Sequence, residues 1–107
     1  MNVILHYLYR DYANYKNHGE AILSNPDGLS IEEIDAALRE RLIDDEWFYA
    51  SQWGLKDLHF KDFDDEIDHS FHEYGSVEYT EEMATEQESI SEFIGKIDLR
   101  MMSRTVY

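Results

Sequence analysis

Residues Val3 to Tyr9 narrow most sharply what this chain can fold into. Val3, Leu5, Tyr7 and Tyr9 alternate with Ile4, His6 and Leu8, so a strand here is largely apolar on both faces. Such a strand has no side to give to water and belongs in the middle of a sheet, covered above and below. The rest of the chain must therefore supply neighbours and a helical cover.

The neighbours are foreshadowed in the next segments. Asn17-His18-Gly19 offers residues that tolerate positive φ, and Glu20 to Ser24 reads as a second strand, giving a hairpin whose loop contains Tyr12 to Lys16. Asn25-Pro26-Asp27-Gly28 is a turn signal that ends the hairpin. A helix follows: Ser30 and Glu33 have capping-box spacing, Leu29 and Ile34 stand at the staple positions, and Ile31, Ile34, Leu38 and Leu42 form one apolar stripe through about residue 43. The aromatic run Glu46 to Trp53 favours a strand, with a short helix as the alternative that pattern alone allows, and Asp68 to Thr80 reads as a strand bent or bulged at Gly75. Thr85 with Glu88 repeats the capping-box spacing before a stripe of Ile90, Phe93, Ile94 and Ile97, a helix that Gly95 weakens by roughly 1 kcal/mol relative to alanine. The order is ββαββα: a single α+β domain over 1–107, with an antiparallel sheet, two helices on one face and a tail at 100–107 that frays or crosses the acidic region.

Charge is very unevenly spread over this scaffold. The chain carries 24 acids against 9 Lys and Arg, a net −15. Residues 57–92 hold 13 of those acids and one base, and residues 93–107 are net +2. Asp62, Asp64, Asp65, Glu66 and Asp68 are followed by Glu81 and Glu82, with Phe60, Phe63, Ile67 and Phe71 interleaved, so the segment should fold onto the domain. This balance argues against direct contact with nucleic-acid backbones or anionic membranes, both of which recruit Lys and Arg. The absence of cysteine excludes disulfides and thiolate zinc sites. With no basic leader before the short apolar run at Val3–Leu5, the expected location is cytoplasmic.

Two polar clusters carry the candidate chemistry. In Asp68-His69-Ser70-Phe71-His72-Glu73, imidazoles and a carboxylate are the ligand types of a first-row metal, which makes His69, His72 and Glu73 a candidate metal set. The His-x-x-His-Glu spacing is not a zinc-hydrolase signature, and only a helical turn brings the three together. A calcium loop counted from Asp62 places Ile67 where a sharp turn needs glycine. The second cluster is Tyr9-Arg10-Asp11-Tyr12 with Asn14-Tyr15-Lys16, where Arg10, Asn14 and Lys16 are candidates for holding a small anionic ligand. There is no glycine-rich phosphate loop, no nucleophile elbow and no serine with an identifiable base.

In these clusters the chain resembles a group of small acidic bacterial proteins. The resemblance rests on Tyr9-Arg10-Asp11, Asn14-Tyr15-Lys16, the Asn25-Pro26 turn and His69-x-x-His72-Glu73. It implies a bacterial or phage-borne cytosolic protein and no particular activity.

The expectation from sequence is a non-enzymatic binding or regulatory protein. Its acidic surface, built from Asp62, Asp64, Asp65, Glu66, Glu81 and Glu82, would engage a basic protein partner, in its sharpest form as a nucleic-acid mimic or inhibitor. The rival readings are a metal-binding protein or metal-dependent enzyme at His69, His72 and Glu73, and an anionic-ligand module around Arg10 and Lys16. The charge alone is also explained by solubility.

Overall fold

The computed structural model describes residues 1–61, 63–64 and 66–102. Its elements are β1 (Asn2–Arg10), β2 (Lys16–Leu23), α1 (Ile31–Arg39), β3 (Trp47–Phe48), α2 (Ala50–Trp53), β4 (His72–Thr80) and α3 (Ile90–Met102). The strands form one antiparallel sheet in the order β2-β1-β4-β3. The doubly apolar strand is indeed internal. The α+β class with α1 and α3 around one sheet is as expected, and the short helix allowed in the aromatic run is present as the four-residue α2 beside the two-residue β3.

Register explains how β1 is covered. Val3, Leu5, Tyr7 and Tyr9 point to one side, joining Leu23, Ala21 and Val77 from the neighbouring strands and Ile34, Leu38, Ile90, Phe93 and Ile97 from the helices in a single core. Ile4 and Ile22 lie on the other side and are also buried. There the chain leaving β4 crosses the end of the sheet: the Asn2 side-chain amide donates to Glu82 O at 2.9 Å, and the Thr85 and Glu86 amides donate to Ile22 O at 2.9 and 3.1 Å. This crossing closes part of the outer edge of β2, which would otherwise present unpaired backbone groups.

Local departures from expectation have identifiable causes. The β1–β2 turn is tighter, spanning Asp11–Tyr15, and Asn14 rather than Asn17 or Gly19 takes the left-handed conformation, at φ 69°. Asp11 makes this turn by accepting from the Tyr15 amide at 2.8 Å. Gly19 sits inside β2, where a Cβ would come within 2.8 Å of Leu58 Cδ1. The aromatic run at 46–53 splits into two strand residues and a helical turn, whose stacked Phe48 and Trp53 rings lie 4.3 Å apart. α3 is capped by Ser89, not Thr85. Ser89 Oγ accepts from the Glu92 amide while Glu92 returns a bond to the Ser89 amide, at 3.2 and 3.0 Å. Thr85 instead accepts the Ile22 amide at 2.9 Å. Of the tail, 100–102 belongs to α3, and 103–107 lies outside the described residues. No helix among the described residues is long and apolar enough to cross a membrane.

Candidate functional site

The hairpin tip and the acidic loop meet at the Arg10 end of β1. Asp68 makes the junction: its carboxylate accepts the Tyr12 amide and the Asp64 amide, both at 3.0 Å. These two N–H groups hold the Asp68 carboxyl below its usual pKa range. The result is a concavity of about 290 Å³ between the two loops, walled by Asp11, Asp64 and Asp68 and by Tyr12, Tyr15 and Ile67. The last three are 76%, 70% and 60% exposed, well above what a merely half-buried side chain shows.

The six acids expected to form one surface are not gathered in one place. Asp64 and Glu66 belong to this loop, whereas Glu82 bonds through its carbonyl to Asn2, at the opposite end of the nine-residue β1, with Glu81 beside it. At about 3.3 Å per residue the two groups are separated by nearly the full length of a strand. Asp62 and Asp65 lie outside the described residues.

Arg10, Asn14 and Lys16 are brought together at the neck of the hairpin, but the guanidinium is already committed. Arg10 Nε and Nη2 donate to Glu73 at 2.8 and 3.3 Å, and Nη1 donates to Asn14 Oδ1 at 2.6 Å. Lys16 stands opposite Arg10 in the ladder and is exposed. A bidentate Arg–carboxylate fork of this kind leaves little of the guanidinium to a soluble anion.

The strand geometry of β4 also separates Glu73 from His72. Glu73 faces Arg10 on the open side of the sheet, and His72 turns into the core at 1% exposure. His69 and His72 do converge, together with His59, around the buried Tyr9 ring, with centroid distances of 5.5, 5.3 and 4.5 Å. The Tyr9 hydroxyl donates to His69 O at 2.7 Å, and burial, reinforced by Asp68 and Asp11, pushes its pKa up to about 12. It stays a phenol.

Among the described residues, the ligand-type side chains that come together are Asp57, His59 and His72, with one ligand atom from each within 4.8 Å of the others. Asp57 Oδ1 is 3.0 Å from His59 Nδ1 and 3.6 Å from His72 Nε2. His59 is stacked on Phe63 at 4.1 Å, and its Nε2 faces Ser70 O at 3.3 Å. The Leu58 amide donates to His72 Nε2 at 2.9 Å, and His72 Nδ1 is buried without a hydrogen-bond partner. Burial, then the nearby His59, depresses the His72 pKa and keeps the ring neutral. A cavity of about 230 Å³ adjoins this trio, with Tyr49, Ser51 and Ser70 in its wall.

Asp57 and His59 escaped the sequence reading. Their signal was the Asp-x-His spacing in a stretch without helical or strand pattern, where residues two apart are free to converge. A larger hollow of about 460 Å³ lies beside Gly19, bordered by His6, His18, Glu20 and Lys56, without a converging set of ligand atoms among the described residues.

No family model, no curated protein and no solved structure matches the chain.

Proposed function

We propose that the protein is a non-enzymatic binding or regulatory protein that takes a basic segment of a partner protein into the concavity between the hairpin tip and the acidic loop. The observation that supports this reading most directly is the combination of three exposed apolar or aromatic side chains with three carboxylates in one hollow. An Arg or Lys side chain is matched to such a surface, because its aliphatic stem covers the rings while its charged head meets the carboxylates. The net −15 adds long-range attraction that speeds encounter with a basic partner. A partner whose basic segment ordinarily binds nucleic-acid phosphates would be blocked by such an encounter, which is the mimic or inhibitor form of this reading.

The test uses a fluorescein-labelled peptide rich in Arg and Lys. Its binding should weaken steeply between low and high salt, as expected for a screened charge interaction. The Tyr12→Ser/Tyr15→Ser double variant, which keeps the net charge and spares Asp11 and Asp68, should bind at least about tenfold more weakly, the loss expected of anchoring side chains. Affinity unchanged by that variant would show that overall charge alone attracts the peptide, and the reading would fall.

A further inference from the structure

We propose that Asp57, His59 and His72 form a binding site for one divalent first-row transition ion, of which zinc is the representative probe. This site is independent of the partner-binding reading and differs from the His69, His72 and Glu73 set expected from sequence.

The spacing of the ligand atoms suits such an ion. A tetrahedral zinc ion bound at about 2.1 Å places its ligand atoms roughly 3.4 Å apart. The Asp57–His59 and Asp57–His72 separations of 3.0 and 3.6 Å bracket that value and all three ligand atoms lie within 4.8 Å of one another, so an ion is received by drawing the imidazoles onto Asp57 and turning His72 Nε2 away from the Leu58 amide.

The backing of His59 also suits an ion. A carbonyl can only accept, so it is the Nε2–H tautomer that donates to Ser70 O at 3.3 Å. The other ring nitrogen, Nδ1, is then aimed at the Asp57 carboxylate, and an imidazole held through its remote N–H by a backbone carbonyl is the usual outer support of a metal-bound histidine. Asp57 Oδ1 also accepts the His59 amide at 2.8 Å, which holds the carboxylate against this ring; an Nδ1–H bond satisfies the pair, and so does a metal ion, which would in addition engage His72 Nε2 3.6 Å from the same oxygen.

Space and support are present as well. His72 packs against Tyr7, Tyr9 and Phe48 and His59 against Phe63 and Tyr9, and the adjoining 230 Å³ cavity leaves room for water at a fourth position. Three protein ligands with an open position leave the ion a fourth place for water or another small ligand. Coordination through His72 Nε2 displaces the Leu58 N–H bond, which gives the site its own spectroscopic reporter.

Zinc is titrated into tag-free, chelator-treated protein and followed by calorimetry and by amide NMR. The expected result is one ion per chain, a displaced Leu58 amide resonance, and affinity reduced about 100-fold or more in Asp57→Asn and in His59→Asn, since losing a ligand costs at least as much as losing its outer support. Both variants alter accessible or partly exposed side chains, and far-UV circular dichroism confirms that they fold. His69→Ala and Glu73→Gln should leave the affinity unchanged. Absence of stoichiometric binding, or binding indifferent to Asp57→Asn and His59→Asn, would overturn the site and leave a hydrogen-bonded Asp57–His59 pair in its place.

Discussion

The hydroxyl of Tyr74 on β4 donates to Asp35 on α1 at 2.6 Å, and Arg39, one helical turn further on, both pairs with the same carboxylate at 2.9 Å and lies over the Tyr74 ring at 5.2 Å. Three side chains thus bind helix to sheet in a closed ring. Tyr74→Phe removes the hydroxyl while keeping the ring, and should cost about 1–2 kcal/mol in urea unfolding, as for a hydrogen bond to a charged acceptor with partial solvent access. A loss below the error of the measurement would mean that Arg39 alone satisfies Asp35.

Acid should act on this protein in two opposite phases. Lowering the pH from 7 towards the pI of 4.4 relieves the repulsion of a net −15 and should hold or raise stability. Below that, four favourably placed carboxylates are lost. Burial works against ionisation of Asp35, but Tyr74 and Arg39 outweigh it; Asp98 is held low by Arg41, Glu92 by Ser89, and Asp68 by the Asp64 and Tyr12 amides. Carboxyls depressed in the folded state stabilise it above their unfolded pKa of about 4 and surrender that stability as pH falls through the folded values. The urea midpoint should therefore fall steeply below about pH 4. Its continued rise to pH 3 would refute this account.

Two glycines should respond to alanine in opposite directions. Gly95 lies inside α3 with nothing within 4 Å of a would-be Cβ, so Gly95→Ala should stabilise by about 0.5–1 kcal/mol. Gly75 lies at the bulge between β1 and β4, where a Cβ would sit 2.8 Å from the carbonyl oxygen of His6. Backbone cannot yield as a side chain does, and Gly75→Ala should destabilise by about 1–3 kcal/mol. Thermal unfolding of the two variants side by side checks both signs.

Ser89→Ala should cost about 1 kcal/mol by removing the cap of α3, with a matching loss of helical signal on heating. Ser30→Ala should cost a similar amount at α1, whose reciprocal bonds with Glu33 are 3.1 Å each. An unaffected Ser89→Ala protein would mean that the parallel bridge from Ser24 to Ser89 fixes the helix start without the hydroxyl.

The elements legible in the sequence were those decided by local pattern. The two apolar faces of Val3–Tyr9 required a central strand, Ser30 with Glu33 required a helix start, and Gly75 marked a bulge. Where a residue answered to a distant partner, local pattern misled. Gly19 read as a turn residue although its role is to admit Leu58 against Tyr7, and Thr85 read as a cap although it serves the edge of β2. The aromatic run ending at Trp53 has strand composition, but packing of Phe48 on Trp53 and of Trp53 on Phe93 turns it into a helix. The same limit applied to the sites. Neighbours in sequence, His72 and Glu73, are parted by the two-residue period of a strand, while His72 and Asp57 are joined across a stretch with no period at all.

The placement of β1 between β2 and β4 has a consequence for how the protein is made. A ribosome delivers β1 and β2 almost together, but the partner residues on β4 follow much later, His6 and Glu78 being 72 positions apart. Throughout that interval the nascent hairpin offers one long unsatisfied edge and two greasy sides, the combination that invites wrong association. The strand that finally closes the edge carries only Glu73 and Glu78 but is flanked in sequence by the acids of 62–68 and of 81–82, so the most adhesive strand of the protein is sealed by one that arrives between two self-repelling segments.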